Sequence, residues 1–171
     1  MSRHLFLMRH AKSDWSRNLR DHDRPLNDRG RKSAFSMGLY LQEERLCPDQ
    51  IYCSTAERAR QTVLGVLQHL DYPESRVVWD KRIYLASLYE LLSLLTEWLP
   101  HSNSIMVVGH NPGMEELFSY LAPQQQIEID GNSFPTAAFA LIELPDKAPY
   151  KAGCGKLIRH LIPRQLEGDG D

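Results

Sequence analysis

Three short apolar runs, each ending abruptly in cationic or imidazole side chains, constrain this chain more than any other feature. Leu5-Phe6-Leu7-Met8 runs into Arg9-His10-Ala11-Lys12-Ser13. Ile51-Tyr52-Cys53 runs into Ser54-Thr55-Ala56-Glu57-Arg58-Ala59-Arg60-Gln61-Thr62. Ile105-Met106-Val107-Val108 runs into Gly109-His110-Asn111-Pro112-Gly113. Continuous apolar runs this short read as strands buried on both faces.

Pieces with helical spacing lie between them. A charged loop, Ser13 to Pro25, follows the first strand. Asn27 is placed to cap a helix reaching about Leu46. Ser54-Thr55-Ala56-Glu57 reads as a capping box. Behind it Ala59, Val63, Val66, Leu67 and Leu70 recur at three- and four-residue spacings, giving one apolar face. Val77 to Trp79 reads as a strand. Ser87-Leu88-Tyr89-Glu90 is a second capping box, for a helix through Trp98. Asn111 as N-cap and Pro112 at the first helical position start another towards Leu121. Ala137 to Leu144 and Leu157 to Ile162 read as closing strands. This alternation predicts an α/β fold, a three-layer α/β/α sandwich around a mainly parallel sheet. With 171 residues and no linker-like stretch, a single domain over residues 1–166 is expected, with a polar tail over 167–171.

Composition removes several function classes. Lys plus Arg total 20 against 22 Asp plus Glu, a net charge of −2. The chain lacks the basic excess of a general nucleic-acid binder, so no nucleic-acid partner is expected, although a local basic pocket is compatible. Cys47, Cys53 and Cys154 make neither a disulfide framework nor a CxxC pair. The apolar run near the N-terminus has four residues, too short for a secretory signal or a membrane span. A cytoplasmic protein with no membrane partner is expected.

Ligands of open α/β sheets bind outside the carboxyl ends of the strands. If the three strands are neighbours, Arg9, His10, Arg58 and His110 meet at one rim. Arg58 sits in the first turn of its helix, where the macrodipole disfavours a cation. An anion between it and the free backbone N–H groups would explain its presence. Two guanidinium forks and two imidazoles suit a phosphoryl group. Taken singly, a His after a strand is ordinarily a structural hydrogen-bonder and an Arg near a helix start is ordinarily solvated. The conjunction at three strand ends carries the reading.

Arg9-His10-Ala11, the STAERARQT segment and GHNP resemble the three motifs of the histidine phosphatase superfamily, also called phosphoglycerate mutase-like. The opening RHAKSDW, Asp23-Arg24-Pro25-Leu26, Arg29-Gly30 and the compact length are most similar to its short SixA-type phosphohistidine phosphatase branch. The resemblance runs from about residue 4 to residue 162. It implies a phosphoglycerate mutase-like fold and His10 as a nucleophile that becomes phosphorylated. It implies Arg9 and Arg58 as phosphate-binding arginines. His110 would be the second histidine, contacting phosphate and stabilising the transferring group. The catalytic set is then Arg9, His10, Arg58 and His110, of which Arg9, Arg58 and His110 also bind substrate, with no metal and no cofactor. Phosphoryl transfer asks for an in-line nucleophile and charge neutralisation, which these residue types supply.

One family part is missing. Many members carry a catalytic carboxylate between the second and third motifs, and nothing between Tyr84 and Glu97 matches it. Glu90 lies near the right place but is claimed by the capping box of Ser87; Asp14 is the other candidate. Without an acid, an N-phosphate substrate is favoured over an alkyl phosphate, because imidazole leaves more readily than an unprotonated alkoxide. Charged loop residues such as Lys12, Asp14 and Arg24 are ordinarily solvated, and contact with a ligand is the minority reading. His4, His22, His69, His101 and His160 show no paired metal-ligand spacing. Cys53 and Arg58 are one residue too close for a cysteine-phosphatase loop. Asp21-His22-Asp23-Arg24-Pro25 lacks the Thr and the preceding strand of a DxDxT site, and no Walker loop is present. The expectation is a metal-independent phosphatase with a phosphohistidine enzyme intermediate, its partner a phosphorylated protein carrying phosphohistidine. The alternatives are a small-molecule phosphomonoesterase of the same superfamily and a catalytically weak phosphate-binding interaction module.

Overall fold

A computed structural model of the chain describes residues 1–123 and 132–163. The described strands are β1 (Arg3–Arg9), β2 (Gln50–Cys53), β3 (Val78–Trp79), β4 (Ser104–Gly109), β5 (Phe139–Leu144) and β6 (Lys156–Leu161). The described α-helices are α1 (Asp28–Glu43), α2 (Glu57–Leu67), α3 (Leu88–Trp98) and α4 (Gly113–Leu121). The strands form one sheet in the order β3-β2-β4-β1-β5-β6. β3, β2, β4 and β1 are parallel, and β5 runs against both of its neighbours. The three strands that carry the motifs are therefore adjacent, as β2-β4-β1.

The continuous apolar runs are explained by burial on both faces. Successive strand side chains point to opposite sides. Leu5, Leu7, Ile105 and Val107 pack with Leu91, Leu95, Leu117 and Phe118 of α3 and α4. Phe6, Met8, Met106 and Val108 pack with Met37, Leu41, Val63 and Val66 of α1 and α2. Two cores on either side of one sheet make the three-layer α/β/α sandwich.

Two helix starts match the sequence. Asn27 Oδ1 accepts from Gly30 N at 2.8 Å. Ser87 Oγ accepts from Glu90 N at 3.2 Å and donates to Glu90 Oε1 at 3.0 Å. Two others differ. α2 begins at Glu57, with Ala56 at the N-cap and no side-chain cap, so Ser54 is not a capping residue. The Ser54 N–H instead extends the sheet by donating to Val108 O at 3.0 Å. α4 begins at Gly113 with Pro112 at the N-cap, one residue later than expected. Asn111 still serves the helix, accepting from Glu115 N at 3.2 Å. A Cβ on Gly113 would lie 2.1 Å from Ala86 O, so the approach of α4 to that segment requires glycine.

α1 ends at Glu43, short of Leu46, because Arg45 adopts φ 57° and Leu46 N–H returns to Leu41 O at 2.8 Å, closing the last turn. β5 starts at Phe139 rather than Ala137, which has φ 61°. The charged loop is pinched at its base by Asp14 N–H to Pro25 O at 2.8 Å, which folds its middle back over the sheet rim. The expected tail, 167–171, and the last expected domain residues, 164–166, lie outside the described residues. Among the described residues no helix is long and apolar enough to cross a membrane.

Candidate active site

Each of the four expected residues is delivered by the end of a sheet or helix element. Arg9 closes β1, paired in register with Gly109. His10 follows it, its N–H donating to Gly109 O at 3.0 Å and its carbonyl accepting from Ala137 N at 3.0 Å. His110 is the first residue beyond β4. Arg58 lies in the first turn of α2, and its carbonyl accepts from Thr62 Oγ1 at 2.7 Å. That hydroxyl oxygen also accepts Ala11 N–H at 2.9 Å, which ties α2 to the loop after His10. All four residues line a single cavity of about 650 Å³, with the rings of His10 and His110 centred 5.0 Å apart.

The protonation of His10 follows from its contacts. Nδ1 lies 2.7 Å from Ala11 O. A carbonyl only accepts, so Nδ1 carries the proton and Nε2 keeps its lone pair. Arg58 Nε–H points to that Nε2 at 3.4 Å. Burial pushes the His10 pKa down to about 3; the Ala11 hydrogen bond opposes this, and the nearby Arg58, Arg9 and Arg24 lower it further. His110 is held down to about 2, by burial first and then by His10 and Arg58. Its Nε2 lies 2.7 Å from Ser54 Oγ, the contact that draws Ser54 away from helix capping. Its Nδ1 is buried with no hydrogen-bond partner among the described residues. Arg9 donates to Phe134 O at 3.3 Å.

The sequence missed the carboxylate that holds Arg58. Asp21, on the charged loop, accepts from Arg58 twice: its carbonyl from Nη1 at 2.6 Å and its Oδ2 from Nη2 at 3.0 Å. Its side chain also accepts from Arg24 Nη2 at 2.9 Å and from the Tyr84 hydroxyl at 2.5 Å. Burial pushes the Asp21 pKa up, but the bonds from Tyr84, Arg24 and Arg58 outweigh it and hold the carboxyl well below its usual range. The anion that the helix position of Arg58 called for is therefore supplied in part by the chain itself. Arg24 is buried rather than solvated. It reaches Ser13 Oγ at 2.5 Å and its guanidinium lies 3.5 Å from the centre of the Trp15 ring. The available signal is the Asp21…Arg24 spacing within the charged run, an i,i+3 ion pair on one short turn.

The other candidates separate cleanly. Lys12 lines the cavity; Asp14 and Glu90 do not. Asp14 Oδ1 accepts Ser16 N–H at 2.7 Å. Glu90 is exposed and engaged by Ser87. Cys53 is buried, and burial pushes its thiol well above the usual value, so no thiolate forms there. A neutral imidazole with an unprotonated Nε2, beside guanidinium donors, can attack the central atom of a tetrahedral oxyanion that those donors bind.

Comparison with known proteins agrees with this chemistry. Residues 5–82 match the family model of the histidine phosphatase superfamily, branch 1. An uncharacterized protein of Mycobacterium tuberculosis is 32% identical over 163 residues, 92% of this chain and 100% of that protein. The structure of the protein histidine phosphatase SixA complexed with tungstate superposes with a TM-score of 0.79 at 22% identity, covering 95% of this chain and 99% of that one. A crystal structure of a candidate phosphohistidine phosphatase SixA from Agrobacterium tumefaciens gives 0.76 at 29% identity, covering 95% and 100%.

Proposed function

The chain belongs to the histidine phosphatase superfamily and is a phosphatase, and from that premise we propose that it acts through a phosphohistidine intermediate on His10 and takes phosphohistidine on a protein as substrate. The observation that carries this reading is the His10 tautomer. Its Nδ1–H is fixed on Ala11 O, which leaves the Nε2 lone pair beside the Arg58 guanidinium inside the cavity.

In the first step Nε2 of His10 attacks phosphorus in line. A P–N bond to His10 forms while the substrate P–N bond breaks. The substrate ring, protonated from solvent at its other nitrogen, leaves as neutral imidazole. Arg9 and Arg58 neutralise the equatorial oxygens, and His110 contacts the transferring group. In the second step water attacks the phosphorus. The new P–O bond replaces the bond to Nε2, the water proton passes to phosphate or solvent, and neutral His10 is restored.

The state of Asp21 supports an N-phosphate. It is the one carboxylate lining the cavity among the described residues, and it is held ionised. An alkyl phosphate needs its departing alkoxide protonated, whereas a protonated phosphoimidazole carries its proton already. Similar structures described as a protein histidine phosphatase and a candidate phosphohistidine phosphatase favour the same substrate class. Cys47, Cys53 and Cys154 are all free, which suits a reducing, cytoplasmic setting.

The test is kcat/KM for a phosphohistidine peptide against several phosphomonoesters, run beside His10→Ala. Preference for the N-phosphate with no turnover by the variant is expected. A phosphomonoester favoured tenfold or more (on the order of 1.4 kcal/mol) overturns the substrate while leaving the His10 chemistry standing. Full activity in His10→Ala overturns the mechanism.

A further inference from the structure

The cavity holds more positive charge than one phosphoryl group requires. Arg9, Lys12, Arg24, Arg29 and Arg58 line it, and Asp21 is the carboxylate among the described lining residues. Asp21 bonds to both Arg24 and Arg58. A phosphoryl dianion together with Asp21 balances three of the five cations. The two in excess are Lys12 and Arg29, and neither makes an ion pair or side-chain hydrogen bond among the described residues. The contrast with Arg31, two residues further along the same helix, is direct. Arg31 bonds to the Asp28 carboxylate and to Leu26 O at 2.8 Å.

The backbone segments that carry Lys12 and Arg29 are also tied to each other. Asn27 N–H donates to Lys12 O at 3.0 Å. A Cβ on Gly30 would lie 2.1 Å from the same Lys12 O, so glycine permits the first turn of α1 to sit directly on the loop that carries Lys12. Two exposed, unpaired cations thus reach the cavity from adjoining backbone, Lys12 on the loop that follows His10 and Arg29 in the first turn of α1. Like charges placed together without a counter-ion repel, an arrangement that favours binding of an anion.

We propose that Lys12 and Arg29 form a second anion site beside the phosphoryl pocket, which takes an acidic group carried by the same substrate. Resting on the phosphohistidine reading, the group is a carboxylate of an acidic residue flanking the phosphorylated histidine. A carboxylate on a small phosphate ester has the same chemistry and is separated from it by the experiment.

Two matched substrate pairs test this. The first is a phosphohistidine peptide with flanking Glu against the same peptide with Gln. The second is phosphoglycolate against ethyl phosphate. Each pair is run with wild type and with the double variant Lys12→Met, Arg29→Met, and phosphoramidate serves as the single-anion reference. Rim ion contacts are modest, about three- to fivefold each at low salt, so about tenfold preference for the acidic member is expected, expressed in KM and shrinking with added salt. The double variant should lose that preference, hold phosphoramidate turnover within about twofold, and melt no lower than wild type, because removing unpaired like charges relieves repulsion.

Binding of phosphoglycolate and ethyl phosphate to His10→Ala gives a readout independent of turnover. Preference for the acidic member in both turnover and binding supports the site. Preference confined to the ester pair keeps the second anion site and overturns the protein-phosphohistidine reading. An acidic preference that is absent in wild type, or that survives in the double variant, overturns the proposal. Equal losses on phosphoramidate and on the acidic substrates overturn it too.

Discussion

Replacing Arg58 by alanine separates its chemical role from its structural one. The guanidinium side chain is 4% exposed and makes three contacts: Nε to His10 Nε2 at 3.4 Å, Nη1 to Asp21 O at 2.6 Å, and Nη2 to Asp21 Oδ2 at 3.0 Å. The Asp21 side chain is 46% exposed, so its ion pair with Arg58 is discounted by solvent screening. The bond to the Asp21 carbonyl is charge-assisted. Arg58→Ala should therefore cost about 1–3 kcal/mol of stability, a fraction of the about 5–15 kcal/mol typical of a domain, and the variant should fold. Losing one preorganised donor to a developing anion costs about 10²- to 10³-fold in turnover. Arg58→Lys should recover part of this. One ammonium cannot serve His10, the Asp21 carbonyl and the Asp21 carboxylate together, nor present a fork to phosphate. The assay pairs kcat/KM on phosphoramidate with urea unfolding of the same samples. An NMR titration adds a third readout. The His10 pKa should rise from about 3 in Arg58→Ala yet stay below 6.5, because burial is the largest cause of the depression and remains. A folded Arg58→Ala that turns over within about threefold of wild type would show Arg58 to be a structural residue and refute the reasoning.

Enzyme quenched during turnover of a labelled phosphoramidate should carry an acid-labile, alkali-stable phosphate that is absent from His10→Ala; an acid-stable label points to another nucleophile. Vanadate should inhibit, by taking the five-coordinate geometry against Arg9, Arg58 and His10, while EDTA should not; activity lost to EDTA and restored by a divalent ion contradicts the metal-independent mechanism. His10 and His110 are held to about 3 and about 2, below the 6.5 of an unfolded histidine. Their depressed folded-state values mean that this part of the stability is present above pH 6.5 and is lost as pH falls towards 3. Urea midpoints at several pH values should show the decline, with a shallower slope in His110→Gln; equal slopes would remove His110 as a cause. Gly30→Ala places a methyl 2.1 Å from the Lys12 carbonyl and should cost about 1–3 kcal/mol; an unchanged melting temperature would mean that the first turn of α1 is not pressed on that loop.

Features whose physics is local were legible from the residues alone. Asn27 and Ser87 cap their helices because the N–H groups they satisfy lie three residues along the same chain. The apolar runs at Leu5 and Ile105 became strands buried on both faces because a sheet covered on each side leaves no position for a polar residue. Strand ends followed at once by Arg9-His10 and by His110 placed three of the four expected site residues, and helix polarity singled out the fourth, Arg58. Features that depend on partners distant in sequence were not legible. Ser54 has the local pattern of a capping residue, yet its hydroxyl goes to His110, 56 residues away, because β2 and β4 are neighbours in the sheet. Asp21 reads as one charge in a solvated loop, yet the fold brings Arg58 to it across 37 residues and Tyr84 across 63. A charged side chain takes whichever counter-charge the packed backbone leaves within reach, and in this chain strand order and the pinch of one loop decide which that is.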